Sequence, residues 1–228
     1  MEAVIEHISA LHVIPFATVN DATKAIPLAQ ALKAGGCDVV SISFRSKCPA
    51  DAIQAISTEM PEIFVGAGSV LSVEDVSAAH VAGARFAMAP GFDPLVVDAA
   101  AAAVLPFIPG ILTPANLSRG LVRGCRVQAF FPAAPLGVAF LDSVLSAFRH
   151  TGIKIVATGG INSDTIMDWL SIPDVVACGV SWICPEELIE SENWAEITRR
   201  TIETLDKVHA ACAFPRHVDP GMGGMPAL

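Results

Sequence analysis

The sequence predicts a single (β/α)8 barrel with an extra N-terminal helix. Eight short apolar runs alternate with longer segments of helical periodicity. Such alternation is typical of a parallel sheet whose strands are joined by helices, and eight repeats in about 200 residues match a barrel in size. A doubly wound open sheet is the alternative, disfavoured because no Gly-x-Gly-x-x-Gly motif follows the first run. The runs are His12–Val19, Val39–Phe44, Phe64–Gly68, Arg85–Pro90, Leu105–Gly110, Val127–Pro132, Lys154–Gly160 and Val175–Trp182.

The segments between these runs carry the residues that begin and end helices. Asp, Ser or Thr precedes five of them as a candidate N-cap, and glycine follows several of them. Residues 1–10 predict a short helix that closes the bottom of the barrel. We expect the barrel to span 1–213 and a flexible tail to span 214–228, with an arm that lies on a neighbouring subunit as the alternative for the tail. The candidate caps are Asp21, Ser72, Asp93, Thr113 and Ser163, and the predicted helices are Asp21–Ala34, Pro49–Met60, Val73–Ala82, Pro94–Ala103, Pro114–Val122, Leu136–His150, Ser163–Leu170 and Pro185–Ala211.

Composition excludes several classes of partner. The net charge is −9 and the 14 basic residues form no run, so we expect no nucleic-acid partner. Prolines and acidic residues interrupt the longest apolar stretch, so we expect no membrane span. The N-terminus carries acid where a signal peptide needs base, which predicts a cytoplasmic location. The six cysteines include no CxxC pair and predict buried reduced thiols, with a metal site or disulfides as the alternative.

The second run places three polar residues on one side of a strand. Ser41, Ser43 and Arg45 alternate with apolar residues, so all three should face the barrel interior. A buried arginine needs an anion. We therefore predict that Arg45 binds a ligand carboxylate or phosphate, and the alternative is an ion pair with an internal Asp or Glu.

Glycine and hydroxyl residues end the last two runs. Thr158-Gly159-Gly160 ends the seventh run, and Ser181 follows a glycine at the end of the eighth. Backbone N–H groups beside glycines can approach an oxyanion closely, and phosphate sites recur at these loops in barrels. We predict a small anionic ligand here, and the alternative is that the glycines only make tight turns. No His, Asp or Glu cluster occurs at the strand ends, so we expect no metal and no cofactor.

Short motifs recur at or near the ends of most of the predicted strands. They are Ala34-Gly35-Gly36, Phe44-Arg45-Ser46, Val65–Val70, Ala89-Pro90-Gly91, Ile108-Pro109-Gly110, Phe130–Ala133, Thr158–Ile161 and Gly179–Trp182. Together these segments resemble the family of 2-keto-3-deoxy-6-phosphogluconate (KDPG) and 4-hydroxy-2-oxoglutarate (KHG) aldolases over about residues 8–205. The resemblance implies a homotrimer of single barrels that cleaves 2-keto-4-hydroxy acids through a lysine Schiff base. It also implies ligand-binding roles for Arg45, Ser69, Pro90, Gly91, Thr158, Gly159, Gly160 and Ser181.

Two catalytic positions depart from the family's pattern, besides Ser69, where the family usually has Thr, and Ala134, where it has Glu. The Schiff-base lysine of the family corresponds to Ala129, and its acid/base glutamate corresponds to Ser41. Alanine has no nucleophile and serine has no carboxylate, so the usual imine route is not possible at these positions. Lys47, in the loop after the second run, is a weak candidate for the nucleophile, because a lysine in such a loop is typically a solvated charge or an anion contact. The sequence thus predicts an aldolase-like barrel that binds a small, phosphorylated keto or hydroxy acid. A ligand-binding pseudoenzyme and a different, non-imine reaction remain as alternatives.

Overall fold

The computed structural model describes residues 2–212, and these form a parallel α/β barrel. Nine strand segments make one sheet in the order β5-β4-β3-β2-β1-β9-β8-β7-β6. The expected domain boundary at residue 213 and the tail, 214–228, lie outside the described residues. The strands are β1 (Val13–Ala17), β2 (Val39–Ser43), β3 (Phe64–Gly68), β4 (Ala87–Met88), β5 (Phe107–Ile108), β6 (Gly110–Ile111), β7 (Val127–Phe130), β8 (Lys154–Thr158) and β9 (Val175–Val180).

The count of nine arises because the fifth predicted strand is divided at Pro109. β5 pairs with β4, and β6 pairs with β7. The carbonyl of Pro109 accepts a hydrogen bond from the Ala129 N–H at 2.8 Å, so the chain between the two segments continues the ladder. Proline has no N–H to donate, which interrupts the strand at this residue. The predicted eight-stranded barrel is confirmed.

Helices follow the strands and cover the outside of the sheet. Four of the five predicted N-caps accept a backbone hydrogen bond, and Ser72 forms a reciprocal capping box with Asp75. The helices are α1 (Glu2–Leu11), α2 (Ala25–Ala34), α3 (Pro49–Glu59), α4 (Val73–Val81), α5 (Pro94–Ala102), α6 (Pro114–Val122), α7 (Ala133–Leu136), α8 (Val138–Ser146), α9 (Ile166–Leu170), α10 (Glu186–Glu190) and α11 (Trp194–Cys212), and short 3-10 turns span Ala22–Lys24 and Arg149–Thr151.

Three predicted helices differ from the structure. The predicted cap Ser163 is wrong because the Asn162 side chain accepts from the next backbone N–H groups, and α9 begins only at Ile166. Gly137, with φ 80°, separates α7 from α8. Glu192, with φ 54°, lies in the turn that separates α10 from α11. Local backbone turns thus divide segments whose apolar periodicity is continuous.

The N-terminal helix closes the barrel at the amino ends of the strands, as predicted. Its buried residues Val4 and Ile8 join the core, and α1 packs against β1 and β9. His7 Nε2 lies 3.0 Å from Oδ1 of Asp38, the residue before β2, and the His7 ring stacks on Phe64. This leaves the opposite end, at the carboxyl ends of the strands, open for a ligand.

Candidate functional site

A cavity of about 390 Å³ opens at the carboxyl ends of the barrel strands. Its walls come from the ends of β1, β2, β3, β4, β7, β8 and β9 and from the loops that follow them. The volume suits a small-molecule ligand. Of the predicted site residues, the lining includes Arg45, Ser69, Pro90, Thr158, Gly159, Gly160 and Ser181, together with Ser41 and Ala129.

β2 contributes the polar side that its alternation predicts. Ser41 and Ser43 are buried and line the cavity, whereas Ile42 is buried on the other side, in the hydrophobic core. Arg45 also lines the cavity, but it is exposed rather than buried because β2 ends at Ser43. The Arg45 N–H and Nε both donate to Ser43 Oγ at 3.2 Å. No carboxylate of residues 2–212 forms an ion pair with Arg45, so the predicted alternative of an internal partner finds no support there.

The backbone conformation after β8 favours glycine at two successive positions. Gly159 and Gly160 have φ of 96° and 77°, a conformation that favours glycine. A Cβ on Gly159 would lie 2.8 Å from the Phe131 ring, and one on Gly160 would lie 2.8 Å from the Ala134 Cβ. Both glycines line the cavity, so a structural need and a place for a ligand coincide at this loop.

The remaining predicted residues divide between the cavity and its surroundings. Ser69 lines the cavity, and its Oγ lies 3.4 Å from Ser43 Oγ. Pro90 also lines it, but Gly91 is exposed and borders a separate depression of about 200 Å³. Lys47 is exposed and lies outside the lining, with its backbone N–H donating to Asn20 Oδ1 at 3.2 Å.

The end of β7 places an apolar wall on the cavity. Ala129 is 2% exposed and lines the cavity, and its neighbour Phe130 points into the core against Trp169 and Phe140. Phe131 lines the cavity and is 38% exposed. The two phenylalanines therefore have different environments, with Phe130 in the core and Phe131 at the cavity.

The cavity lining also includes a carboxylate, Glu186, and a thiol, Cys184, that the sequence motifs do not indicate. Glu186, the first residue of α10, lines the cavity and accepts a hydrogen bond from Asn20 Nδ2 at 2.6 Å. Its position after Pro185, just beyond the last strand, is the feature of the sequence that indicates a place near the carboxyl ends of the strands. Cys184 also lines the cavity, and burial raises the pKa of its thiol to about 12, so it is protonated and unreactive at neutral pH.

Within residues 3–210, whose side chains are described, we find no group of three or more His, Cys, Asp or Glu side chains that could hold a metal ion. Over the same residues, no helix has both the length and the apolar character needed to cross a membrane. The described cysteines are all free thiols, and burial raises the pKa of Cys37 to about 12. The predicted buried thiols are confirmed for Cys37, Cys125, Cys178 and Cys184, and Cys48 is only partly buried.

Fold and cavity together define a barrel whose main cavity lies where the carboxyl ends of the strands meet, which is where barrel enzymes generally have their active sites. The sequence model described as "Aldolase: KDPG and KHG aldolase" matches residues 4–200. The chain belongs to the KDPG and KHG aldolase family. This confirms the family that the sequence motifs indicate.

Curated relatives match over nearly their whole length. The 2-dehydro-3-deoxy-phosphogluconate aldolase of Treponema pallidum is 37% identical over 91% of this chain and 99% of its own. The KHG/KDPG aldolase of Escherichia coli K12 is 36% identical over 85% of this chain and 91% of its own. A single-barrel length is therefore common to this chain and these relatives.

Solved structures match equally well. KDPG aldolase from Legionella pneumophila, with pyruvate captured as a covalent carbinolamine intermediate, has a TM-score of 0.84 at 34% identity, covering 88% of this chain and 97% of its own. The aldolase of Zymomonas mobilis ZM4 with 3-phosphoglycerate has a TM-score of 0.79 at 32% identity, covering 88% and 94%. Both ligands are small acids.

Proposed function

We propose that the cavity binds a small, phosphorylated 2-keto or hydroxy acid and forms no imine at the family's lysine position. The observation that carries this proposal is Ala129. It lines the cavity, is 2% exposed and directly precedes Phe130-Phe131-Pro132, where the resemblance places the lysine. A methyl group can neither attack a carbonyl nor hold a charge, so a ligand at this wall is bound without a covalent bond.

The second departure supports the same conclusion. Ser41 occupies the position that the resemblance assigns to the acid/base glutamate, and it is 1% exposed. Its Oγ is buried without a hydrogen-bond partner. A serine hydroxyl does not exchange protons near neutral pH as a carboxylate does, so proton transfer by the family's route is lost along with the imine.

None of the chain's lysines is placed to substitute. No lysine is among the described residues that line the cavity. Lys24 and Lys33 form ion pairs with Glu190 and Glu62, and Lys207 donates to the Ser163 carbonyl. Lys47 lies in an exposed loop outside the cavity, and Lys154 begins β8 at the opposite end of the strand.

The anion-binding side of the cavity supports retention of a ligand. Among residues 3–210, no acidic side chain forms an ion pair with Arg45, which supports a role in binding a carboxylate or phosphate. Thr158, Gly159, Gly160 and Ser181 surround the place proposed for a phosphate. The relative that holds 3-phosphoglycerate supports a ligand that carries both acid groups.

For activity, we place the protein as a lyase of the aldolase type that works without the imine. A ligand-binding pseudoenzyme is the second candidate, and it is favoured because the family's lysine and glutamate are both replaced, by Ala129 and Ser41. Thermal shift tests the binding that both candidates share. Millimolar 6-phosphogluconate should raise the Tm by mass action, and sorbitol should not. Equal shifts from the two compounds would contradict the proposal.

We also propose a homotrimer in the cytoplasm. The resemblance implies the trimer, and exposed apolar side chains such as Leu71 and Leu95 supply surface for contacts between copies. The free cysteines suit a reducing compartment. Light scattering coupled to size exclusion should give three times the chain mass, and a monomer mass would refute the trimer.

A further inference from the structure

The cavity carries one acidic side chain that its proposed anion-binding role does not explain. Among the described residues that line the cavity, Glu186 is the one carboxylate and Arg45 the one cationic group. A carboxylate repels the acid groups of an anionic ligand. Glu186 is exposed, and a ligand that offers it a hydrogen-bond donor would offset this repulsion.

Glu186 is held in place by a fixed amide. Asn20 Nδ2 donates to Glu186 Oε1 at 2.6 Å, and Asn20 Oδ1 accepts from the Lys47 N–H at 3.2 Å. Because both ends of the Asn20 amide are bonded, the carboxylate has a defined direction. The nearby Lys24 pairs with Glu190 instead, and no cation of residues 2–212 forms an ion pair with Glu186.

The hydrogen bond to Asn20 brings Glu186 to the loop after β1, between the two proposed anion-binding regions. Asn20, its partner, follows β1, which lies between β9 and β2. Arg45 follows β2 on one side, and Gly160 follows β8 on the other. At roughly 4.8 Å between neighbouring strands, β2 and β9 are about 10 Å apart. A ligand with its carboxylate at Arg45 and its phosphate between Gly160 and Ser181 therefore passes Glu186 with its middle carbons.

A carboxylate accepts hydrogen bonds and donates none. Hydroxyl groups on the middle carbons can donate to it, whereas keto oxygens cannot. We propose that Glu186 is a specificity residue that selects an acid phosphate with hydroxyl groups on its middle carbons over one of the same charge that lacks them. This inference rests on the proposed function and adds that the ligand carries hydroxyl groups between its carboxylate and its phosphate.

Two probes of equal charge test the inference by titration calorimetry. The first is 6-phosphogluconate, and the second is hexanoate 6-phosphate, which has the same acid groups and no hydroxyls. Glu186→Gln should weaken binding of 6-phosphogluconate about three- to tenfold, because a charge-assisted hydrogen bond becomes a neutral one. The same substitution should tighten binding of hexanoate 6-phosphate, because a repulsive charge is removed.

Glu187→Gln is the matched control. Glu187 is the next residue of α10, is exposed and lies outside the cavity, so its substitution makes the same change in net charge. It should leave both affinities as in the wild type. A role for Glu186 in stability alone would move both probes in the same direction.

The outcomes separate the two proposals. Opposite shifts of the two probes in Glu186→Gln support the specificity role. If the wild type binds both probes and Glu186→Gln changes neither, or changes both alike, the inference is overturned and the proposed acid binding stands. If the wild type binds neither probe, the proposed function fails, and the role of Glu186 fails with it.

Discussion

Arg45→Ala tests the anion-binding role of the cavity. The Arg45 guanidinium uses Nε for Ser43 Oγ, and its remaining N–H groups have no acidic partner in the described chain. A charge-assisted hydrogen bond is worth about 1.5–3 kcal/mol when desolvated. Because Arg45 is exposed, we expect about 1–2 kcal/mol, or roughly five- to thirtyfold in Kd. Arg45→Lys should recover part of the loss, since a point charge lacks the planar fork.

Calorimetric titration with 6-phosphogluconate at fixed ionic strength measures this loss. Arg119→Ala is the matched control, because Arg119 is exposed on α6, away from the cavity, and makes the same change in net charge. The free energy of unfolding should change by less than about 0.5 kcal/mol in Arg45→Ala, because no ion pair is broken. The reasoning is refuted if Arg45→Ala binds as tightly as Arg119→Ala, or if it loses stability instead of affinity.

Two further predictions concern the barrel itself. Gly66→Ala should lower the free energy of unfolding by about 1–3 kcal/mol, because its Cβ would lie 2.3 Å from the buried Phe86 ring. Gly91→Ala is the control, and its free energy of unfolding should stay within about 0.5 kcal/mol of the wild type because its Cβ meets no atom within 4 Å. Equal Tm values for the two variants would contradict this packing. In the native protein, a thiol reagent should modify the partly buried Cys48 before Cys37, Cys178 and Cys184, whose burial raises the pKa of each thiol. Peptide mapping checks the order, and early labelling of Cys184 would show that the cavity wall opens.

Much of the fold follows from local patterns in the sequence. β3 and α6 begin and end at the predicted residues because apolar runs and a proline at the first helical position define them. The division of the fifth strand at Pro109 depends on the partners on both sides, which a local pattern does not contain. The breaks at Gly137 and Glu192 likewise depend on single backbone angles within otherwise helical segments.

The candidate site shows the same limit. Alternation along β2 correctly places Ser41 and Ser43 on the cavity, but it predicts a buried Arg45 where the strand has already ended. Glu186 reaches the cavity through a hydrogen bond to Asn20, and 166 residues separate the two along the chain. Such contacts arise from the closure of the barrel, so spacing in the sequence does not reveal them.

Reductive trapping with pyruvate determines whether the protein forms an imine. The unmodified protein is incubated with pyruvate and borohydride, and its intact mass is compared with those of Ala129→Lys and Ala129→Met. The wild type and Ala129→Met should gain no mass. Ala129→Lys should gain one reduced pyruvate imine, because a lysine desolvated at this wall is a nucleophile. A stable adduct on the wild type, mapped to Lys47 or to any other lysine, would contradict an imine-free cavity.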